Sequence, residues 1–208
     1  MLLKPGVGHR YFAVYKPFNM VSQFVSSHEV NLLGNLNFEF PVGTHAIGRL
    51  DNHSEGLLLL TTNKAITRLL FQDSIPHPRR YLVQVNNEVS SENIDRLRRG
   101  VMLSGIAGTR WTSSSCHVER VTAPDELCTL SNERNIFPPN SWLSITLTEG
   151  KFHQVRKMIR AVGHRCKRLV RISIGNLDLA DMKPGDVKEM SEEDFFNKLN
   201  LKRTVTIV

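Results

Sequence analysis

Apolar residues occur along the chain in short alternating or continuous runs that predict several β-strands. Residues 11–15 (YFAVY) form one such run, because aromatic and β-branched side chains favour strands and the following Pro17 ends a hydrogen-bonded ladder. The apolar run 57–62 (LLLLTT) is short for a helix and typical of a strand buried on both faces. Similar patterns predict further strands over residues 80–85, 142–148 and 169–174.

Helical spacing of apolar residues predicts four helices between these strands. Asn63 can cap a helix over residues 64–72, and Ser90 or Ser91 can open another that ends at Gly100. A third helix starts at about Lys151 and ends at Gly163, and its predicted buried stripe is Val155, Met158, Ile159 and Val162. The fourth follows a capping-box pattern at residues 191–194.

The order of these elements favours an α+β fold, because strands and helices mix without a strict βαβ alternation. Turn-forming residues dominate from Phe18 to about residue 44, and a long surface loop is expected over residues 123–140. The chain has no internal repeat and no convincing linker between domains. We therefore expect a single domain over residues 1–208.

Charge adds the first indication of a partner. The chain has 208 residues, 27 Lys plus Arg against 20 Asp plus Glu, a formal charge of +7 and a pI of about 9.6. This balance is expected of a protein that meets phosphate, although a merely solvated positive surface would give the same numbers.

Cysteine usage and hydropathy indicate the compartment. Cys116, Cys128 and Cys166 have wide spacing and no CxxC, which favours a reducing compartment over a disulfide framework or a zinc site. The sequence shows no signal-peptide pattern and no apolar run long enough to cross a bilayer. We expect a cytoplasmic protein without a membrane partner.

The most distinctive local sequence is Gly48-Arg49-Leu50-Asp51, which precedes the predicted buried strand at Leu57. Loops fixed by a rigid strand commonly carry catalytic groups, because the strand holds their geometry. On local evidence alone, however, the favoured interpretation of Asp51 is a turn residue whose carboxylate bonds backbone amides.

The segment 151–171 carries a concentrated positive charge. We call it the basic block; it contains no Asp or Glu, and its cations are Lys151, Arg156, Lys157, Arg160, Arg165, Lys167, Arg168 and Arg171. Arg156 and Arg160 are four residues apart and share one flank of the predicted helix. A run of cations without neutralising acids favours an anionic partner over a solvated face.

A third feature is Arg79-Arg80-Tyr81 at the start of a predicted strand. A tyrosine can stack on a nucleobase and offers a hydroxyl, whereas a tyrosine at the edge of the core would look the same in the sequence. His53, His153 and His164 form no ligand pattern such as HExxH, and no phosphate-binding glycine loop or GxSxG motif occurs.

These features together resemble the pseudouridine synthases of the RsuA family, most closely its RluE subgroup. The resemblance spans about residues 11–180 and rests on three ordered motifs: Gly48-Arg-Leu-Asp-Asn-His-Ser-Glu-Gly56 with the following LLLLTTN, Arg79-Arg-Tyr-Leu-Val83, and Glu149-Gly-Lys-Phe-His-Gln-Val-Arg-Lys-Met158 with Arg168-Leu-Val-Arg-Ile-Ser-Ile-Gly175. Three motifs in the right order are far more specific than any single one. The chain departs from the family pattern at Arg79, where a lysine is common.

The resemblance implies a fold and a set of roles. The implied fold is a mixed, largely antiparallel sheet flanked by helices with a central RNA-binding cleft, here without a separate N-terminal RNA-binding module. Asp51 would act on the target nucleoside, Tyr81 would stack on uracil near the proton lost from carbon 5, and Arg156 would pair with Asp51. Leu169 would line the uracil pocket, and Arg49 would fill the gap or hold the phosphate when the base is flipped out. The cations assigned to substrate binding are Arg79, Lys151, Lys157 and Arg168.

The implied reaction is the isomerisation of a uridine to pseudouridine in structured RNA, most similar to modification of large-subunit ribosomal RNA. It requires no redox cofactor and implies no metal, and a monomer is expected. Three alternatives remain open: a catalytically silent RNA-binding or ribosome-assembly protein, a tRNA-directed synthase, and a glycoside hydrolase that would need a second carboxylate such as Glu55. The sequence leaves open which uridine is modified, by which route Asp51 acts, and what residues 176–208 do.

Overall fold

The computed structural model describes residues 8–72, 77–105, 108–122 and 140–201. The predicted surface loop at 123–140 lies almost wholly outside the described residues. Within the described part of the chain the elements, in order, are β1 (Tyr11–Lys16), a 3-10 helix (Leu33–Asn35), β2 (His45–Ile47), β3 (Glu55–Thr61), α1 (Ile66–Gln72), β4 (Arg79–Asn86), α2 (Ser91–Arg99), β5 (Met102–Ser104), β6 (Arg110–Thr112), β7 (His117–Val121), β8 (Asn140–Leu147), α3 (Gln154–Ala161), β9 (Cys166–Ile174), β10 (Leu177–Asp178), β11 (Val187–Met190) and α4 (Glu192–Lys198).

The chain forms two compact units. Unit 1 comprises Met1–Ile75 and Gly175–Val208, and unit 2 comprises Pro76–Ile174. Strands and helices occur in both units, and the paired strands run antiparallel in each, so the predicted α+β class is confirmed. The expectation of a single domain stays a prediction.

Unit 1 is built around β3, which pairs antiparallel with β1 and with β2, while β1 also pairs with β11. All residues of β1 and β3 are buried, which explains why their sequences are continuous apolar runs rather than alternating ones. The ring of Tyr11 lies 4.7 Å from that of Phe195 in α4, measured between centroids. This contact packs the C-terminal helix against the first strand.

Unit 2 is built around β4, which pairs antiparallel with β8 on one side and β9 on the other. β7 extends this sheet beside β8, and β5 pairs with β6 in a separate two-stranded sheet. The predicted buried stripe is confirmed, because its four apolar residues, three on α3 and Val162 directly after it, are at most 5 % exposed. The pairing of β4 with β9 shifts in register between Arg80 and Tyr81 and again between Gln84 and Val85.

At three helix starts, the side chains of the predicted capping residues accept hydrogen bonds from the backbone. Asn63 Oδ1 accepts a hydrogen bond from Ala65 N–H at 3.1 Å just before α1, and Ser90 Oγ accepts one from Asn93 N–H at 3.2 Å at the start of α2. Ser191 Oγ likewise accepts from Asp194 N–H at 3.1 Å at the start of α4.

The predicted start of α3 at about Lys151 was wrong by three residues. His153 has φ of 54°, a left-handed conformation that cannot belong to a right-handed helix, and the helix begins only at Gln154.

No helix in the described part of the chain is long and apolar enough to span a bilayer.

Candidate active site

Asp51 lies in the connection between β2 and β3, two strands that pair antiparallel with Ile47 opposite Leu59. The connection leaves β2 through Gly48, whose φ of 70° is left-handed, so glycine is favoured there. The Asp51 carbonyl accepts a hydrogen bond from Ser54 N–H at 3.0 Å, which closes the turn. The predicted placement of Asp51 in a glycine-flanked turn before a buried strand agrees with this geometry.

The residue before Asp51 is held by a buried serine. Ser22 Oγ donates to the Leu50 carbonyl at 2.9 Å and accepts from Leu50 N–H at 3.0 Å, and Ser22 is only 5 % exposed. Both backbone polar groups of Leu50 are therefore satisfied by one side chain. No sequence pattern predicts this contact, because Ser22 lies in the turn-rich stretch that no motif covers.

The residue after Asp51 is held by the same N-terminal segment. The carbonyl of Asn52 accepts hydrogen bonds from Asn19 N–H at 3.0 Å and from Lys16 Nζ at 3.4 Å. Lys16 is fully buried, and its ammonium also donates to the carbonyls of Pro17 at 2.8 Å and Met20 at 2.6 Å. A buried ammonium is tolerated only when its donors are satisfied, so Lys16 fixes this segment against the turn.

The Asp51 side chain is half-buried, whereas Arg49 is exposed. Arg49 Nη2 donates to Gln23 Oε1 at 3.4 Å, a long hydrogen bond between two exposed side chains. The turn thus presents one carboxylate and one guanidinium from a backbone that is braced on both sides of Asp51. Such bracing is what a catalytic group needs to keep its geometry.

Tyr81, in unit 2, sits in the middle strand of its sheet. It lies opposite Ile145 of β8 and Arg171 of β9, and Leu169 lies opposite the next residue on the same face, Val83. Residues two apart on a strand point to the same face of the sheet, and so do residues paired directly across two strands. Tyr81 and Val83 therefore share a face, and Leu169, the partner of Val83, lies on it too. Tyr81 is 9 % exposed and Leu169 is 4 % exposed.

Arg79 occupies the same neighbourhood and is only 8 % exposed. Burial lowers the pKa of the Arg79 guanidinium, the nearby Tyr81 acts in the opposite direction, and the nearby Arg171 lowers it further. A Cβ added to Gly150 would lie 3.0 Å from Arg79 Nη1, so the guanidinium packs against that glycine. The structure therefore brings Arg79, Tyr81 and Leu169 together.

Arg171 is a residue that sequence reasoning missed as a site candidate. It was counted among the cations of the basic block, yet it is 5 % exposed and lies opposite Tyr81. The register shift between Arg80 and Tyr81 places Arg171, rather than Ile172, beside the tyrosine. An alternation of residues in β9 alone does not reveal this shift.

Arg156 and Lys157 lie on α3 and are both half-buried. Burial raises the pKa of the Cys166 thiol to about 11, and the nearby Arg156 acts in the opposite direction. The thiol therefore stays protonated at neutral pH, and the Arg156 charge is not compensated by a thiolate.

The other two predicted cations differ in exposure. Lys151 is exposed, and its ammonium lies 3.8 Å from the centroid of the Trp111 ring and 3.9 Å from Glu149 Oε2. Arg168 is only 3 % exposed in β9. The assignment of both to substrate binding stays a prediction.

Within the described ranges, no three His, Cys, Asp or Glu side chains are grouped so that they could hold a metal ion.

Comparison with known proteins identifies the family. The model of the RNA pseudouridylate synthase family matches residues 10–161. A ribosomal large subunit pseudouridine synthase E of Vibrio parahaemolyticus is 34 % identical over 179 residues, covering 84 % of this chain and 71 % of the relative. The protein of the same description from Xanthomonas axonopodis is 32 % identical over 180 residues, covering 81 % and 87 %.

The fold agrees with this assignment. A crystal structure of a pseudouridylate synthase superposes with a TM-score of 0.73 at 22 % identity, covering 92 % of this chain and 74 % of that one. The human RNA pseudouridylate synthase domain containing 1 gives a TM-score of 0.52 at 15 % identity. The resemblance seen in the sequence motifs is thereby confirmed: the chain belongs to the RNA pseudouridylate synthase family, the enzymes that isomerise uridine to pseudouridine in RNA.

Proposed function

We propose that this enzyme isomerises a uridine of large-subunit ribosomal RNA and that Asp51 is its essential catalytic carboxylate. The observation that carries the proposal is the turn of Asp51, whose neighbours Leu50 and Asn52 are both fixed by buried side chains of the N-terminal segment. The choice of RNA is supported by relatives at 32–34 % identity that are described as large-subunit synthases.

The reaction explains why one carboxylate can suffice. Uridine and pseudouridine contain the same atoms, so the enzyme breaks the bond from the ribose to nitrogen 1 and forms one from the ribose to carbon 5. Carbon 5 gives up its proton, and nitrogen 1 takes up a proton in its place. Asp51 acts either by adding to the uracil ring or by assisting cleavage through the ribose, and both routes need the ionised carboxylate. A site that excludes water keeps the detached uracil from escaping.

The supporting roles follow the family resemblance. Tyr81 is assigned to stacking on uracil, beside the apolar side chain of Leu169 that shares its face. Arg156 and Arg49 keep the roles implied by the motifs, and Arg79, Lys151, Lys157 and Arg168 are assigned to the RNA. We add Arg171 as a residue that positions Tyr81, because it is buried opposite that tyrosine.

The setting of the enzyme is part of the proposal. The widely spaced cysteines without a CxxC motif support a reducing compartment, so we place the protein in the cytoplasm, as a single catalytic domain that acts as a monomer. Size-exclusion chromatography with light scattering tests the oligomeric state, and a dimeric mass would contradict it.

Pseudouridine mapping in ribosomal RNA tests the function. Total RNA from a strain that lacks the gene is treated with carbodiimide and read by primer extension. We expect one large-subunit stop to disappear and to return when the wild-type gene is supplied. A complete set of large-subunit stops in the deletion strain, with a site lost from tRNA instead, would contradict the choice of RNA but not the activity.

A further inference from the structure

The turn before α3 carries an exposed aromatic side chain that the proposed chemistry does not use. Phe152 is 63 % exposed. Among the described residues the other large apolar side chains of comparable exposure are Val25, Val42 and Met102, so Phe152 is the aromatic one in this group. An isolated exposed apolar residue is ordinary on a protein surface, and it is the surroundings of Phe152 that distinguish it.

The ring of Phe152 is held in place from beneath. The imidazole of His153 stacks on it with a centroid separation of 3.9 Å and an interplanar angle of 18°. His153 takes a left-handed φ of 54°, which is uncommon for a residue with a side chain and sets the direction in which the turn projects. The two rings form a short parallel stack with Phe152 outermost.

The backbone of this turn is tied to the rest of unit 2. Lys151 N–H donates to Gln154 Oε1 at 2.9 Å, and Gln154 Nε2 donates to Glu149 Oε1 at 2.5 Å. Glu149 Oε1 also accepts a hydrogen bond from Ser114 N–H at 2.8 Å. These bonds fix both ends of the turn, so the aromatic stack is preorganised rather than free to collapse onto the surface.

Cations flank the stack. Lys157 Nζ lies over the Phe152 ring, 5.5 Å from its centroid, and Lys151 Nζ lies over the Trp111 ring, 3.8 Å from its centroid. Aromatic faces beside cations are the combination with which proteins bind single-stranded nucleic acid, because bases stack on the rings while phosphates meet the charges. A protein partner would need a larger apolar patch than one ring supplies.

We propose that the Phe152–His153 stack is a platform on which an unpaired base of the substrate RNA stacks, with the Lys157 ammonium moving from over the ring to the adjoining phosphate. Phe152 precedes Arg156 by four residues, so the platform would engage a nucleotide close to the target rather than a distant part of the RNA. The inference rests on the proposed function for the identity of the RNA, but base stacking itself does not depend on turnover.

Binding of a short fluorescein-labelled oligouridylate, which has no base pairing of its own, tests the platform by fluorescence anisotropy. We expect Phe152→Ala to raise the Kd about 5- to 150-fold, the range that corresponds to the loss of one stacked base. Phe152→Tyr and Phe152→Trp keep a π face and should bind like the wild type. Phe152→Leu keeps apolar bulk without that face and should bind like the alanine variant.

Three controls separate stacking from other effects. A fully paired RNA duplex offers no free base, so its Kd should be the same for wild type and Phe152→Ala. The slope of log Kd against log salt should be unchanged in Phe152→Ala and reduced in Lys157→Gln, because only the lysine meets a phosphate. The melting temperature of each variant reports any damage to the fold.

Unchanged oligouridylate binding by Phe152→Ala, equal losses for single-stranded and duplex RNA, or no binding by the wild type would each overturn the platform. Failure of the proposed function looks different. It would appear as absent pseudouridine formation by the wild type while the Phe152 series still follows the aromatic order. Normal pseudouridine formation with a flat Phe152 series would reject the platform alone.

Discussion

Ser22 Oγ bonds both backbone polar groups of Leu50, accepting from its N–H at 3.0 Å and donating to its carbonyl at 2.9 Å. Leu50 directly precedes Asp51, and Leu50 and Ser22 are both buried. A serine of the N-terminal segment therefore fixes the chain directly before Asp51, the proposed catalytic carboxylate.

Ser22→Ala should lower both stability and turnover. The change leaves two buried backbone groups without their partner, which costs about 1–3 kcal/mol of the free energy of unfolding. The position of Asp51 loosens at the same time, so the single-turnover rate should fall while the Kd for RNA stays the same. Urea denaturation and single-turnover kinetics measure the two effects.

Ser26→Ala is the matched control, because Ser26 Oγ accepts a hydrogen bond from His28 N–H on the surface and lies outside the turn of Asp51. It should stay within about 0.5 kcal/mol of the wild type. If Ser22→Ala kept the wild-type stability and rate, the hydrogen bonds from Ser22 to Leu50 would not be what positions Asp51.

Gly100 should tolerate no side chain, whereas Gly163 should tolerate alanine at moderate cost. Both have left-handed φ values, 102° and 82°, but a Cβ on Gly100 would lie 2.3 Å from the Ser113 carbonyl oxygen and one on Gly163 would meet no atom within 4 Å. Gly163→Ala should cost about 1–2 kcal/mol from the backbone alone. Gly100→Ala should cost more than that, since the backbone at Ser113 must also move. Equal urea midpoints for the two variants would contradict this difference.

Much of the fold could be predicted because its main elements carry a repeating pattern. β1 and β3 are apolar runs, and the stripe on α3 recurs at helical spacing, so burial dictates the sequence directly. The short strands β2, β5 and β6 have three residues each and were missed. Three residues cannot show a period, and pairing with distant strands decides their conformation.

The candidate site was predictable only where a motif records it. Asp51 and Tyr81 stand in motifs, whereas Ser22 acts through a contact between residues 28 positions apart. The sequence shows Arg171 only as one cation of the basic block, because its position opposite Tyr81 depends on the register shift in the pairing of β4 with β9. His153 delays the start of α3 through its left-handed backbone conformation, which its residue type does not reveal.

The basic block should make RNA affinity depend strongly on salt. Each phosphate that a lysine or arginine neutralises contributes about −0.7 to −0.9 to the slope of log affinity against log salt. The double variant Lys157→Glu, Lys167→Glu should flatten that slope. Lys183→Glu with Lys188→Glu changes the net charge equally on exposed residues outside the block and should leave the slope near the wild-type value. Equal flattening by both pairs would place the RNA elsewhere.

Tyr81→Phe should separate stacking from proton chemistry. The variant keeps the ring on the face shared with Leu169 and loses only the hydroxyl. If the hydroxyl assists removal of the proton from carbon 5, the single-turnover rate should fall by about 100- to 10,000-fold with little change in RNA affinity. We expect this fall. A full rate in the phenylalanine variant would confine Tyr81 to stacking.

Asp51→Asn tests the central claim most directly. Asparagine is close in size to aspartate but has no charge and no basicity, so the turn and the RNA-binding surface should persist while the chemistry stops. The measurement is tritium release from large-subunit ribosomal RNA labelled at carbon 5 of uridine, under single-turnover conditions, with the Kd for the same RNA as a control. We predict release by the wild type and none above background by the variant at equal affinity. A variant rate within about tenfold of the wild type, a difference of only about 1.4 kcal/mol in the barrier, would contradict the assignment of Asp51 as the catalytic carboxylate.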